Sequence, residues 1–254
     1  GSTHMLRVDA GNNGVLINSN NTDVATFTTL DVVGASNTRM LIHNDEDGVN
    51  AHAAIMFKVD SQNANSRMKA GIFFQRDDPG TRGTGKFHIA VNGANDDVNA
   101  AVATSKLTIH AGGEVTLPAQ PAFQAANAST QANIDGGTQV DIALGSERFD
   151  VGSNFASNTF TAPITGLYQL QVFCRIDNID SAAAYYELKI LTSNRGYGVI
   201  FDPDFGQDNV YWSQAFSILA DMDADDTASL QIRQEGGSGQ TDIVDVKFSG
   251  FLAC

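Results

Sequence analysis

Residues 160–170 read Phe160-Thr161-Ala162-Pro163-Ile164-Thr165-Gly166-Leu167-Tyr168-Gln169-Leu170, and residues 246–252 read Val246-Lys247-Phe248-Ser249-Gly250-Phe251-Leu252. The first stretch places an aromatic residue, a glycine and a tyrosine ahead of a segment in which apolar and polar side chains alternate. Alternation with a period of two is typical of a β-strand that buries one face. The two stretches therefore predict long, half-buried strands in the C-terminal half of the chain.

The same alternation runs through the rest of the C-terminal half. Three groups of apolar residues are each predicted to share one face of a strand: Tyr168, Leu170, Val172, Cys174 and Ile176; Trp212, Phe216 and Ile218; and Val244, Val246 and Phe248. No segment shows a convincing helical period of 3.6 residues. We therefore predict an all-β chain.

The spacing of core and turn residues in these strands resembles the globular head of the C1q and tumour-necrosis-factor (TNF) superfamily. The resemblance covers about residues 119–254, and a similar Pro-x-Phe, here Pro121-Ala122-Phe123, begins the first head strand in that family. It implies a jelly-roll sandwich that works as a homotrimer and binds partners. Because it consists of core and turn residues, the resemblance implies no particular ligand.

A short hairpin pattern occurs twice in the N-terminal half. Residues 6–17 contain Leu6-Arg7-Val8-Asp9-Ala10-Gly11 before an Asn/Gly turn, and residues 107–117 repeat the pattern with Leu107-Thr108-Ile109-His110-Ala111-Gly112. Repetition of one short unit indicates a modular architecture. These hairpins resemble units in the shafts of bacteriophage tail fibres and related trimeric adhesins. A chance match is the alternative, since short hairpins are common.

Between the two hairpins, alternating apolar residues predict half-buried antiparallel strands at Ile55, Phe57 and Val59, at Met68, Ala70, Ile72 and Phe74, and at Phe87, Ile89 and Val91. We therefore predict four regions along the chain. They are a cloning remnant at residues 1–5, a β-hairpin shaft segment at 6–30, an antiparallel β fibre module at 31–117 and a C1q/TNF-like jelly-roll head at 118–254.

Charge and cysteine content limit the partners. With 29 acidic and 15 basic residues among 254, the net charge is −14, which repels nucleic acid and anionic lipid at long range. No apolar run approaches the roughly 18 to 20 residues of a membrane span. We therefore predict neither nucleic-acid binding nor membrane insertion. Two distant cysteines form no disulfide framework, and the alternation predicts Cys174 to be a buried free thiol.

Motifs for catalysis are missing, and candidate binding residues concentrate between residues 197 and 212. The chain has neither a Gly-x-Ser-x-Gly elbow nor a Gly-Lys-Ser/Thr phosphate loop, so we predict that it is not an enzyme. Aromatic rings beside amide and carboxylate groups suit a sugar. The candidate ligand-binding residues are Tyr197, Phe201, Phe205, Tyr211 and Trp212. For Trp212, a position in the core or in a trimer interface is the alternative.

Acidic residues supply the candidate metal ligands. Asp202, Asp204 and Asp208 lie in one loop, and their hard oxygen atoms suit Ca²⁺, whereas no other cofactor is predicted. A second acidic run begins at Asp221 with the alternate spacing of a calcium loop. It has Asp226 and Ile232 where such a loop needs Gly and Glu, so it is predicted to be a solvated turn.

Together these features predict the receptor-binding, adhesive tip of a homotrimeric fibre that attaches to a bacterial surface glycan or protein receptor. Further shaft residues are expected on the N-terminal side, and the setting is a virion tail or fibre, or a bacterial cell surface. Two alternatives remain open. One is a polysaccharide-degrading tail-spike enzyme, although the chain is short for the long β-helix that such enzymes use. The other is a structural fibre module without a ligand.

Overall fold

The computed structural model describes residues 41–46, 48–60, 66–78, 80, 83–134 and 136–254. The predicted shaft hairpin at residues 6–17, and all of the segment 6–30, lie outside the described residues. In the part that is described, every regular element is a β-strand except for one 3-10 turn, Val102–Thr104, which confirms the all-β prediction. No helix in this part has the length and apolar character that a membrane span requires.

The first five strands form one antiparallel sheet, in which the strands lie side by side in chain order. They are β1 (His52–Phe57), β2 (Ala70–Arg76), β3 (Gly85–Val91), β4 (Ser105–Ile109) and β5 (Val115–Thr116). β4 and β5 are the second predicted hairpin, which is confirmed: Thr108 pairs with Thr116 and Ile109 with Val115. The strands predicted around Ile55, Ile72 and Ile89 are confirmed as well, and these three residues are direct neighbours across β1, β2 and β3.

The face that these alternating residues share is not buried in the single chain, which corrects the sequence prediction. Phe57 and Phe74 remain about half exposed, and Val59 lies beyond the end of β1 and is fully exposed. The opposite face carries the module's own core, which consists of Phe73, Ala90 and Ala100 with three partly buried neighbours. The period of two identified the strands correctly, but no element of the described chain covers the larger apolar face.

The remaining twelve strands form two six-stranded sheets, which pack face to face. They are β6 (Ala122–Ala126), β7 (Gln131–Ile134), β8 (Gln139–Asp141), β9 (Ser146–Val151), β10 (Phe155–Ala156), β11 (Thr159–Thr161), β12 (Gly166–Ile179), β13 (Ala183–Thr192), β14 (Gly196–Phe201), β15 (Asn209–Met222), β16 (Thr227–Gly236) and β17 (Thr241–Leu252).

Strand order identifies this sandwich as a jelly roll. One sheet has the order β15-β12-β17-β6-β9 with β7 also beside β17, and the other has the order β10-β11-β16-β13-β14 with β8 also beside β16. The last strand therefore lies between β12 and the first strand of the sandwich, and successive long strands alternate between the sheets. This antiparallel, crossed-over connectivity is the jelly-roll pattern that the C-terminal sequence predicted. The division of the chain into a shaft segment, a fibre module and a head stays a prediction.

Aromatic packing closes the core of the sandwich. Phe123 on β6 stacks on Phe155 and Phe160 at centroid distances of 5.2 and 4.6 Å, and it meets the edge of Phe248 at 5.0 Å. Cys174 is buried and free, as predicted, and burial raises the pKa of its thiol to about 12. The thiol is therefore protonated and unreactive at neutral pH.

The predicted position of one core residue, Val244, is wrong. The alternation placed Val244 on the inner face of β17, but the bulge in this strand inserts Val244 and puts Ile243 opposite Ile176 instead. Asn127 holds the bulge, because its side-chain amide donates to the Val244 carbonyl and its side-chain oxygen accepts the Val246 N–H. A side chain more than a hundred residues away therefore sets the register here.

Close backbone approach explains the two glycines in the sequence stretches that define the fold. A Cβ atom on Gly250 would lie 2.6 Å from Leu170 Cδ2, 2.9 Å from Phe123 Cε1 and 3.0 Å from the carbonyl oxygen of Gln169. At Gly166 a Cβ would lie 2.7 Å from the carbonyl oxygen of Cys254. Tyr168, two residues later, is fully buried and donates its hydroxyl to the Ile164 carbonyl at 2.7 Å.

We predict that Gly250→Ala lowers the free energy of unfolding by about 1–3 kcal/mol, because the added methyl overpacks the contact with Phe123 and Leu170. Gly93→Ala is the matched control, since a Cβ there meets no atom within 4 Å. Chemical denaturation of both variants at one fixed protein concentration measures the effect. Equal midpoints for the two variants would show that the approach at Gly250 is not tight.

Candidate functional site

An aromatic ladder runs from the core of the sandwich to its surface at the loop between β14 and β15. Tyr186 stacks on Phe201 at 5.0 Å, Phe201 stacks on Trp212 at 4.8 Å, and Phe205 lies over Trp212 at 5.3 Å. Tyr186 is buried, whereas Phe205 keeps 39% of its surface exposed. The ladder therefore presents the Phe205 ring on a rigid, core-anchored support.

A tight turn sets the position of Phe205. The Asp202 carboxylate accepts the Asp204 N–H at 3.0 Å, and the Pro203 carbonyl accepts the Phe205 N–H at 2.6 Å. Gly206 follows with φ +75°, a conformation that glycine adopts without steric cost. This turn folds the chain back on itself and brings the Phe205 ring onto Trp212.

Only three of the five predicted ligand-binding residues come together. Phe201, Phe205 and Trp212 form the ladder, while Tyr197 lies on the inner side of β14 and packs against the core. Tyr211 faces the other side of β15 from Trp212, because successive side chains of a strand point to opposite faces. Its exposed ring lies 4.8 Å below the guanidinium of Arg175. The predicted set is therefore divided over both faces of the sheet.

The three predicted metal ligands are not gathered into one group. Asp202 is engaged by the backbone of its own turn, and Asp208 accepts both the N–H and the hydroxyl of Ser181, at 2.9 and 2.7 Å. Among the described residues, no set of three His, Cys, Asp or Glu side chains is arranged to hold a metal ion. Calcium binding by Asp202, Asp204 and Asp208 stays a prediction of the sequence.

Beside the ladder lies a shallow cavity that the sequence did not reveal. It has a volume of about 190 Å³ and is lined by Asn178, Ile179, Asp180, Asp208, Asn209, Val210, Gly239 and Gln240. These residues come from the ends of β12, β15 and β17 and from their loops, and most are far apart in sequence. Only Asp208, Asn209 and Val210 of this lining belong to the segment between residues 197 and 212 that the sequence singled out.

Asp180 is the residue that organises this end of the sandwich. Its carboxylate accepts the backbone N–H groups of Ala182, Ser238 and Gly239 at 2.9, 2.7 and 2.6 Å, and only 7% of its surface is exposed. The backbone N–H groups of Gly239 and Ala182 lower the pKa of Asp180, and those N–H groups stabilise the charged form. Hydrogen bonds from Ser181 likewise lower the pKa of Asp208. Both carboxylates are therefore ionised at neutral pH.

A buried polar network supports the cavity from below. The Tyr186 hydroxyl accepts the Asp180 N–H at 3.0 Å and lies 2.8 Å from the Thr241 hydroxyl, which in turn donates to Gln234 Oε1 at 2.8 Å. Tyr186 thus connects the aromatic ladder to the loop that Asp180 holds. No motif marks these residues, because each of them reads in the sequence as an ordinary strand position.

The sandwich is open along one side, where the edge strands β14 and β15 face each other. Their inward side chains stay only half buried: Tyr197, Val199, Phe201, Trp212, Phe216 and Ile218. Trp212 Nε1 and Gln214 Oε1 are shielded from solvent and have no hydrogen-bond partner. A sandwich whose core is well closed elsewhere therefore leaves a row of large apolar side chains only partly buried along this edge.

No known protein family matches the sequence, and no curated protein matches it either. Among solved structures, the globular domain of zebrafish complement 1qA is 17% identical with a TM-score of 0.39, covering 53% of this chain and 98% of its own. Murine APRIL is 9% identical with a TM-score of 0.37, covering 52% and 98%. The PRD1 vertex protein P5 is 12% identical with a TM-score of 0.39, covering 63% and 89%. The jelly-roll topology rests on the strand order and not on these weak likenesses.

We predict that Asp180→Ala lowers the free energy of unfolding by about 1–3 kcal/mol at pH 7, because three backbone N–H groups lose their acceptor. Since the folded pKa is depressed, this contribution is complete above about pH 4, the unfolded pKa, and is lost as the pH falls through the folded pKa. Denaturation at pH 7 and at pH 2 to 3 measures both effects.

Asp204→Ala serves as the control for Asp180→Ala, because Asp204 is exposed in the neighbouring loop. A loss of stability as large in Asp204→Ala, or one in Asp180→Ala that does not shrink in acid, would contradict the assigned role of the Asp180 carboxylate.

Proposed function

We propose that this chain is the receptor-binding, adhesive tip of a homotrimeric fibre and that it attaches to a glycan on a bacterial surface. The fibre belongs to a virion tail or to a bacterial cell surface, with further shaft residues on the N-terminal side. The open edge of the jelly roll is the observation that carries this proposal. The open edge supports an assembly of several heads. The surface beside the open edge has the chemistry of a sugar site.

The open edge supports assembly because of its composition. Large apolar side chains along β14 and β15 are half buried in one copy. A neighbouring copy that removes their remaining surface from water stabilises the assembly. Trp212 Nε1 and Gln214 Oε1 would also gain partners, since buried polar groups are normally hydrogen-bonded. In an oligomer with closed symmetry, the same edge is covered in every copy.

The ligand surface combines an aromatic plate with carboxylates. Phe205 offers an exposed ring on which the C–H face of a sugar can stack, and Asp208 follows it by three residues at the cavity. Ionised Asp180 and Asp208 can only accept hydrogen bonds, which suits sugar hydroxyls. With a net charge of −14 on each copy, a neutral glycan is favoured over a phosphorylated or sulfated one. Three such sites in one trimer bind a surface with avidity.

Binding without catalysis is part of the proposal. Glycoside hydrolysis needs a pair of carboxyl groups of which one stays protonated as the general acid. At the cavity both Asp180 and Asp208 have a lowered pKa, so neither supplies this proton near neutral pH. The ionised state of these two carboxylates therefore supports a binding site at this cavity in preference to the polysaccharide-degrading alternative.

We predict that Phe205→Ala reduces binding to whole bacteria, or to an array of neutral glycans, by about tenfold per site, or about 1.4 kcal/mol. Ile164→Ala is the control, because Ile164 is also an exposed large apolar residue but lies at the opposite end of β12 from the cavity. Fluorescently labelled protein measures the binding, and circular dichroism verifies the fold of both variants.

Each other outcome of the Phe205→Ala experiment has a definite meaning. Equal binding by Phe205→Ala and the parent protein would show that Phe205 does not contribute to the binding site. Release of reducing sugar from a bound polysaccharide would support the enzyme alternative. A trimer that binds no bacterial surface at all would identify the chain as a structural fibre module.

A further inference from the structure

One face of the five-stranded sheet β1–β5 is built from apolar side chains and left open to solvent. Pairing across the strands places its members side by side: Phe74 neighbours Phe87, Phe87 neighbours Ile109, and Ile109 neighbours Val115. The complete set, called here the open face, is Ala53, Ile55, Phe57, Ala70, Ile72, Phe74, Phe87, Ile89, Val91, Leu107, Ile109 and Val115. Arg76, at the end of β2, is the one charged residue in line with this set, and it donates to the Asp78 carbonyl.

The open face is large enough to be a protein interface. Eight of its side chains keep between 37 and 58% of their surface exposed: Ile55, Phe57, Phe74, Phe87, Ile89, Val91, Ile109 and Val115. At roughly 200 Å² for a large apolar side chain, they present about 700 Å² of apolar surface, close to the about 800 Å² that each partner contributes to a stable interface. A patch of this size exceeds what soluble monomers ordinarily expose.

The sheet also needs a cover for its own stability. The buried apolar residues on its other side are Phe73 and Ala90, with Ala100 from the loop after β3, so most of the large apolar side chains of the module lie on the open face. A sheet is stable in water when it has a buried hydrophobic face of sufficient size. The principal core of this module is therefore completed by whatever packs on the open face.

A second copy of the chain is the occupant that these features favour. None of the twelve members of the open face is charged, and Arg76 at its end is held by the Asp78 carbonyl, so the face offers little charge with which to select a foreign partner. An apolar interface that resembles half of a domain core is typical of obligate homo-oligomers. In such proteins the partner is another copy of the same chain, so it is always available when the chain is made.

We propose that the open face packs against the open faces of two other copies around a three-fold axis, so that three sheets enclose one shared apolar core. The number three rests on the proposed function, whereas packing between copies rests on the face itself. β3 is the central strand of each sheet, and Ile89 lies at its middle, so the three Ile89 side chains meet at or close to the axis.

Cysteine cross-linking of the full chain tests this arrangement. Ile89→Cys is made together with Cys254→Ser, because Cys254 is an exposed free thiol and Cys174 is buried. Lys106→Cys in the same background is the control, since Lys106 is exposed and is not a member of the open face. A disulfide requires Cα atoms within about 7 Å. Copper phenanthroline serves as the oxidant, and a non-reducing gel shows the products.

We expect Ile89→Cys to form covalent dimers at least tenfold faster than Lys106→Cys, with one chain in three left uncoupled, because a disulfide joins only two of three thiols. Cross-linking no faster than in Lys106→Cys would overturn the proposal. If the thiol introduced by Ile89→Cys were also protected from maleimide, residues 6–30 or a foreign partner would cover the face, which equally overturns it. A trimer that persists without cross-linking would refute this interface and leave the proposed adhesive function standing.

Discussion

Apolar surface that one copy of the chain cannot bury is the constraint on which the rest of the structure depends. In the sandwich this surface runs along the facing edge strands β14 and β15, where Trp212 and Phe216 stay half buried beside an otherwise closed core. In the five-stranded sheet it is the open face around Ile89. Both regions consist of regular strands whose alternation directs large side chains toward a surface that the described chain covers only in part. In the assembly that we propose, identical copies would cover both regions at once.

The same constraint explains how the candidate binding surface is held. The ladder from Tyr186 through Phe201 and Trp212 begins in the core and ends at Phe205, so the exposed ring is fixed by stacking and not by a loop alone. Asp180 fixes the loops that line the neighbouring cavity, because its carboxylate accepts three backbone N–H groups. Because Trp212 belongs both to the ladder and to the open edge, covering that edge with a neighbour would also rigidify the ligand surface. In the proposed function, assembly and binding would thus be coupled through Trp212.

Much of this architecture follows from the period of two in the sequence, and its failures have local causes. The pattern around Gly166 and Tyr168 correctly predicted β12, and the terminal strand with Gly250 is its neighbour β17. Val244 was misplaced because Asn127 stabilises a bulge, which no local pattern shows.

The candidate site was harder to predict. Tyr211 and Trp212 were combined in one site, although the alternation rule itself places adjacent strand residues on opposite faces. The Asp180 cavity could not be predicted, since its hydrogen bonds join residues nearly sixty positions apart. Alternation marked the open face as buried, and only the structure shows that the described chain does not cover it.

Solution mass tests the central claim most directly, because the roles proposed for the open edge and for the open face both require that copies of the chain cover each other. Light scattering on a sizing column, in moderate salt to screen the charge of −14 and over a wide range of protein concentration, measures it. The account predicts a mass of three times 26.9 kDa that does not fall on dilution. A mass of 26.9 kDa at all concentrations would contradict it, because the open edge and the open face would then be exposed to water in the working protein.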